Sequence, residues 1–248
     1  MPLYVQAGLW GLLSGAALVI GAALAWFADL PRRWIAAITA FGAGVLVSAL
    51  SFDLMDEAQR RGGFGPTAAG FLAGAVAYTA ANIALSRYGA RHRKRSGPQQ
   101  AEEGGSGTAI AVGALLDGIP ESVVIGVSLL AGEGVSLVAV AAVFLSNLPE
   151  GLASAAGMRK AGRGAAYVFG VWTGIALVSG LSALLGALLM DGAGAGAVAF
   201  VTAIAAGAIL AMLADTMIPE AFETAHDYAG LITVLGFLAA FVLTKLGG

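Results

Sequence analysis

Eight stretches of about twenty mostly apolar residues, separated by shorter polar segments, dominate this chain, and roughly 20 such residues carry a helix across the hydrocarbon of a bilayer. They run approximately over 4–27, 34–58, 65–87, 107–131, 134–158, 164–190, 194–221 and 228–246. Within a bilayer every backbone N–H and C=O must find its partner inside the protein, so runs of this kind fold as helices. Only 11% of the 248 residues are charged and 58% are hydrophobic, whereas a soluble domain carries about a quarter charged residues. The expected fold is an all-α integral membrane protein: one transmembrane domain over 1–248, built as an eight-helix bundle. Its 37 glycines favour close helix approach. Cysteine is absent, which excludes disulfides, thiolate metal sites and iron–sulfur clusters. No basic region precedes the first apolar run, so no cleavable signal peptide is expected.

Basic residues accumulate on the cytoplasmic side of membrane proteins. With the first loop inside, Arg32, Arg33, Arg87, Arg91, Arg93, Lys94, Arg95, Arg159, Lys160 and Arg163 are all inside, against Arg60, Arg61 and Lys245 outside. Both termini are then extracytoplasmic, in a multi-pass protein of the cell (cytoplasmic) membrane. Asp56, Glu57, Glu133 and Asp191 fall at the outer surface, where they would draw in cations. Segment 88–106 is basic, then rich in Gly, Ser and Pro, and reads as a flexible cytoplasmic loop. Its run from Arg91 to Arg95 reads as a topology signal touching anionic lipid, not as a nucleic-acid site.

Four spans carry a related pattern: Asp53-Leu54-Met55-Asp56-Glu57-Ala58, Asp117-Gly118-Ile119-Pro120-Glu121-Ser122, Ser146-Asn147-Leu148-Pro149-Glu150-Gly151 and Thr216-Met217-Ile218-Pro219-Glu220-Ala221. An oxygen-bearing side chain stands four residues before each glutamate, on the same helix face. The motifs lie near mid-span in spans 4 and 5, at the outer end of span 2 and at the inner end of span 7. Matching motifs on oppositely directed spans are what an inverted repeat leaves in a sequence. Buried acids are costly in a bilayer and mark ion or proton pathways. Proline lacks an amide hydrogen, so Pro120 releases the Leu116 carbonyl and Pro149 that of Leu145 for another partner.

Facing each other, Asp117 and Glu121 of span 4 and Asn147 and Glu150 of span 5, with Ser146 beside them, would form a central oxygen cage. Three buried carboxylates are either protonated or hold a divalent cation. Lacking sulfur and imidazole, the set favours Mn²⁺ or Fe²⁺, with Zn²⁺ open. Asp53 and Glu57 would receive the ion at the outer mouth, although an ordinary helix end among headgroups explains them equally well. Asp215 and Glu220 would take the ion at the inner end. Glu223, His226 and Asp227 beyond them read either as acceptors of the departing ion or as a solvated loop. Asn147 is either a ligand or a bond between helices.

These features together resemble the ZIP (Zrt-, Irt-like) metal transporters. The resemblance spans nearly the whole chain and is sharpest at Pro120-Glu121, at Asn147-Leu148-Pro149-Glu150-Gly151 and at the Pro-Glu-Ala of span 7. It implies an eight-helix bundle with inverted repeats, a transport site between spans 4 and 5, and zinc, iron or manganese carried into the cytoplasm without ATP. It also implies a possible homodimer. The metal is then the substrate, and no prosthetic group is expected. The chain departs from the family where histidines are usual, with Asp117 and Gly118 in span 4 and Ser146 in span 5. Span 6 has no acid, and the long loop has only His92. A zinc preference, a binuclear centre and a histidine-rich sensor loop are therefore not carried over.

Two other readings stand beside this one. A proton-coupled carrier of another solute would use the same acids as a proton relay. An intramembrane hydrolase needs a histidine or a serine–base pair at membrane depth. The two histidines, His92 and His226, lie in loops, and Ser182 has no such base, so no enzyme activity is expected.

Overall fold

The computed structural model of the chain describes residues 1–28, 30–87, 106–131 and 137–246, with the backbone alone for 106–111, 131 and 138. The regular elements among them are all helical: α1 (Leu3–Phe27), α2 (Arg32–Ala49), α3 (Met55–Gly62), α4 (Phe64–Arg87), α5 (Ser106–Ser128), α6 (Leu137–Lys160), α7 (Ala165–Met190), α8 (Ala195–Met212), α9 (Ile218–Ala225) and α10 (Ala229–Leu246). Glu133 and most of the expected loop 88–106, with His92, lie outside the described residues.

Six helical segments among the described residues are long and apolar enough to cross a membrane: Leu3–Phe27, Arg32–Gly62, Phe64–Arg87, Ala139–Lys160, Ala165–Met190 and Ala195–Leu246. This fits an integral membrane helical protein. The last segment holds two of the expected spans, joined by a 3-10 turn at His226–Tyr228, where His226 takes a positive φ of 40°. The fourth expected span, α5, is not among the six.

Two of the expected spans are interrupted in the same way. Between α2 and α3 the backbone widens into a π-helical turn at Leu50–Leu54, and between α8 and α9 it does so at Leu213–Met217. Each composite runs 18, then 5, then 8 residues. Single π-turns inside α-helices concentrate at functional sites. Hydroxyls collect carbonyls beside both turns, Ser51 donating to Val47 O at 2.8 Å and Thr216 to Met212 O at 2.7 Å.

Neighbours are chosen reciprocally. The α2 line packs on α10 and the α8 line on α4, while α1 packs on α6 and α7 on α5, with α1 and α7 also packed together. Glycines make these approaches possible. A β-carbon on Gly44 would collide with the Thr233 carbonyl, and one on Gly236 with that of Phe41; on the other pair, Gly74 meets Ile204 and Gly207 meets Phe71 in the same manner. Gly21 and Gly151 do the same between α1 and α6. Small residues thus replace large apolar side chains as the device that joins helices here.

Candidate metal-ion site

Helices α5 and α6 hold the central residues but touch each other sparingly, since each is gripped chiefly by its outer neighbour, α7 or α1. Both carry an internal proline, Pro120 and Pro149. The Pro149 ring is accommodated by Gly42 of α2, where an added β-carbon would stand 3.1 Å from Pro149 Cγ and 3.3 Å from the Leu145 carbonyl oxygen. That carbonyl is the one whose helical donor the proline removes. The sequence therefore places an uncovered carbonyl, a proline and a glycine of the facing helix at one point.

All five central side chains are buried: Asp117 and Glu121 are 1% exposed, Ser146 0%, Asn147 3% and Glu150 4%. Ser146 Oγ lies 3.5 Å from Glu121 Oε1, linking the two helices, and donates at 2.9 Å to its own Val143 carbonyl. Asn147 Nδ2 donates to the Ser14 carbonyl of α1 at 3.0 Å, and its Oδ1 has no partner among the described residues. Asp117 Oδ1 accepts a 2.6 Å hydrogen bond from the Tyr78 hydroxyl of α4. No group of three or more His, Cys, Asp or Glu among the described residues stands ready to hold a metal ion. The central acids thus share a buried region without forming the closed cage of three carboxylates that the spacing suggested.

The members of the expected outer pair have different partners. Asp53 sits in the π-turn at Leu50–Leu54, its Oδ2 3.3 Å from the Thr244 hydroxyl of α10, which also lies 3.1 Å from the Ala240 carbonyl. Glu57, in α3, pairs with Arg61 and with Arg60, the latter at 3.1 Å, so its charge is compensated within its own helix. The same holds for the inner pair. Asp215, in the second π-turn, is exposed and accepts from Asn82 of α4 at 3.1 Å. Glu220 is 7% exposed and lies within electrostatic reach of Lys160 at the end of α6, which also feels Arg32. The basic starts and ends of α2 and α6 therefore share one end of the molecule. A cavity of about 270 Å³ lies there, lined by Ala25, Ala28, Leu30, Ile35, Ala156, Arg159 and Lys160.

Four residues at these sites carry no mark in the motif pattern: Ser14, Tyr78, Asn82 and Thr244. For Tyr78 and Asn82 a signal did exist. They stand four apart on a helix otherwise made mainly of small and apolar residues, so they share one face. Each π-turn acid faces a polar side chain from the helix packed on its own line, Thr244 for Asp53 and Asn82 for Asp215.

No protein-family model matches the chain. It is similar to a protein of Arabidopsis thaliana named "putative zinc transporter", at 29% identity over 221 residues, which cover 88% of this chain. The chain spans about a third of that relative's length, 35%.

Proposed function

We propose that this chain is a secondary transporter that moves divalent transition-metal ions of the zinc, iron or manganese class across a membrane, into the cytoplasm. The observation that carries the reading is the burial of Asp117, Glu121, Asn147 and Glu150 on two neighbouring proline-bearing helices. Each buried acid costs about 3 kcal/mol at mid-bilayer on insertion scales, a cost that packing between helices gives no reason to repeat. The name of the plant relative supports metal as the cargo. Asp53 and Glu57 serve the outer side, and Asp215 and Glu220 the inner side. The sparse mutual contact of α5 and α6 leaves them room to adjust around the ion. The working environment is the cell-membrane bilayer, with a homodimer as the assembled form.

The test is uptake of Mn²⁺, Fe²⁺ and Zn²⁺ into liposomes containing the purified protein, with Glu121→Ala and Glu150→Ala as controls for correctly inserted but site-deficient protein. Uptake by the wild type that both variants lose supports the reading; equal uptake in all three, or none in the wild type, refutes it.

A second reading draws on the Tyr78–Asp117 hydrogen bond, with no ready three-acid group among the described residues. A hydroxyl against a buried carboxylate is also the start of a proton path, which suits a proton-coupled carrier of another solute. Proton flux without any divalent ion, abolished by Asp117→Asn, would favour it.

A further inference from the structure

Tyr78 is only 2% exposed, on a helix that otherwise buries Thr67, Gly70 and Gly74. Those glycines and Gly207 bring α4 and α8 close together, and Tyr78 extends from that pair to the central carboxylate of α5. Its hydroxyl stands 2.6 Å from Asp117 Oδ1, a length typical of a strong O–H···O bond to a carboxylate. One turn further along the same face, Asn82 donates to Asp215 Oδ2 at 3.1 Å. Helix α4 thus supplies a donor to the central acid and another to an acid of the second π-turn.

We infer that Tyr78 is a specificity-determining positioning residue, which occupies Oδ1 of Asp117 so that this carboxylate meets a cation through one oxygen. This rests on the transport reading above and deepens it. A carboxylate with a phenol against one oxygen is poorly placed to chelate with both. Ca²⁺ takes six to eight oxygens and readily uses bidentate carboxylates, whereas smaller divalent ions are satisfied with fewer ligands. The hydrogen bond therefore discriminates against large, hard ions while leaving a ligand for small ones. It also helps fix the orientation of Asp117, which is buried among the helices.

The test is a double-mutant cycle on the full-length protein in liposomes. It uses wild type, Tyr78→Phe, Asp117→Asn and the double variant, with Mn²⁺ uptake competed by Ca²⁺ and with both ions titrated against the purified proteins. Tyr78→Phe should lower the Ca²⁺ concentration that halves Mn²⁺ uptake roughly tenfold, the worth of one strong hydrogen bond, while changing the KM for Mn²⁺ much less. In the Asp117→Asn background the same substitution should leave Ca²⁺ binding unchanged. Tyr78→Leu, a second variant without the hydroxyl, should act in the same direction and serves if Phe disturbs insertion. An unchanged Ca²⁺ profile, or an equal shift in both backgrounds, overturns the role of Tyr78 while leaving metal transport standing. A wild type that neither binds nor carries divalent ions overturns the transport reading, and this role with it.

Discussion

The Ser146 hydroxyl of α6 stands 3.5 Å from the Glu121 carboxylate of α5 and 2.9 Å from the Val143 carbonyl of its own helix. One hydroxyl has one proton, so the shorter bond takes it and Glu121 gains little from Ser146 in this arrangement. The contact marks where the two motif-bearing helices meet without drawing them together. A cation between them would be held by the carboxylates, and the serine would line the site.

From this follows an ordering of substitutions. Ser146→Ala should leave metal uptake within about twofold of wild type, because the hydroxyl already bonds its own helix. Glu121→Gln and Glu150→Gln, which keep the volume and remove the charge, should each lower uptake roughly tenfold or more, the worth of a charged contact. Initial rates of uptake into liposomes, normalised to inserted protein, check the order. A Ser146→Ala defect as large as that of the glutamates would reverse these roles.

Asp117→His should shift preference toward Zn²⁺, since imidazole suits zinc better than an oxygen-only set does. With one imidazole nitrogen on zinc, the other carries the proton and can donate to the Tyr78 oxygen, so the contact across to α4 survives the change. Competition of Zn²⁺ against Mn²⁺ measures the shift. An unaltered competition curve would remove Asp117 from the ligand set.

The crossing glycines give a prediction about stability alone. Gly44→Leu and Gly207→Leu each force a side chain into a facing backbone carbonyl, and overpacking of this kind costs about 1–3 kcal/mol or more. Gly170 has open space around its β position, so Gly170→Leu should be tolerated. Melting temperatures of the detergent-solubilised variants would show two losses and one near-neutral change. Equal behaviour of all three would mean that the reciprocal packing of α2 on α10 and of α4 on α8 is not what holds these pairs.

The sequence revealed apolar length well and local winding poorly. Spans expected at 4–27, 65–87 and 164–190 are Leu3–Phe27, Phe64–Arg87 and Ala165–Met190, because a hydrophobic run shows its ends by composition. The π-turns left no such mark. One contains Asp215 and is followed by Pro219; the other contains Asp53 and has no proline near it. Proline is therefore not their common cause, and a widening of one residue changes no periodicity a reader can see. The motif spacing did identify five side chains that are all buried, yet it could not show how far apart α5 and α6 would stand. That separation is set by Gly21, Gly151 and Gly126, which fasten these helices to α1 and α7, and no motif includes that information. The spacing of Tyr78 and Asn82 on one face of α4 was a signal, but an aromatic in a span reads as core until its partner across the bundle is known.

Asn147 separates a ligand from a structural contact more cleanly than any acid does. Its Nδ2 bonds the Ser14 carbonyl of α1, and its Oδ1, buried with the rest of the side chain at 3% exposure, meets no partner among the described residues. An unmet buried acceptor costs about 1–3 kcal/mol, roughly what the Nδ2 bond returns, so the residue contributes little net stability. Asn147→Leu removes both terms and keeps the volume. Its melting temperature should stay close to wild type, while metal affinity falls roughly tenfold, as expected when one oxygen donor is lost. Were Asn147 present only to join α6 to α1, the signs would exchange: the leucine variant would melt lower and bind metal as before. Thermal unfolding and metal titration on the same purified sample decide between the two, and a stable variant with unimpaired binding would leave the orphaned oxygen facing nothing the transporter uses.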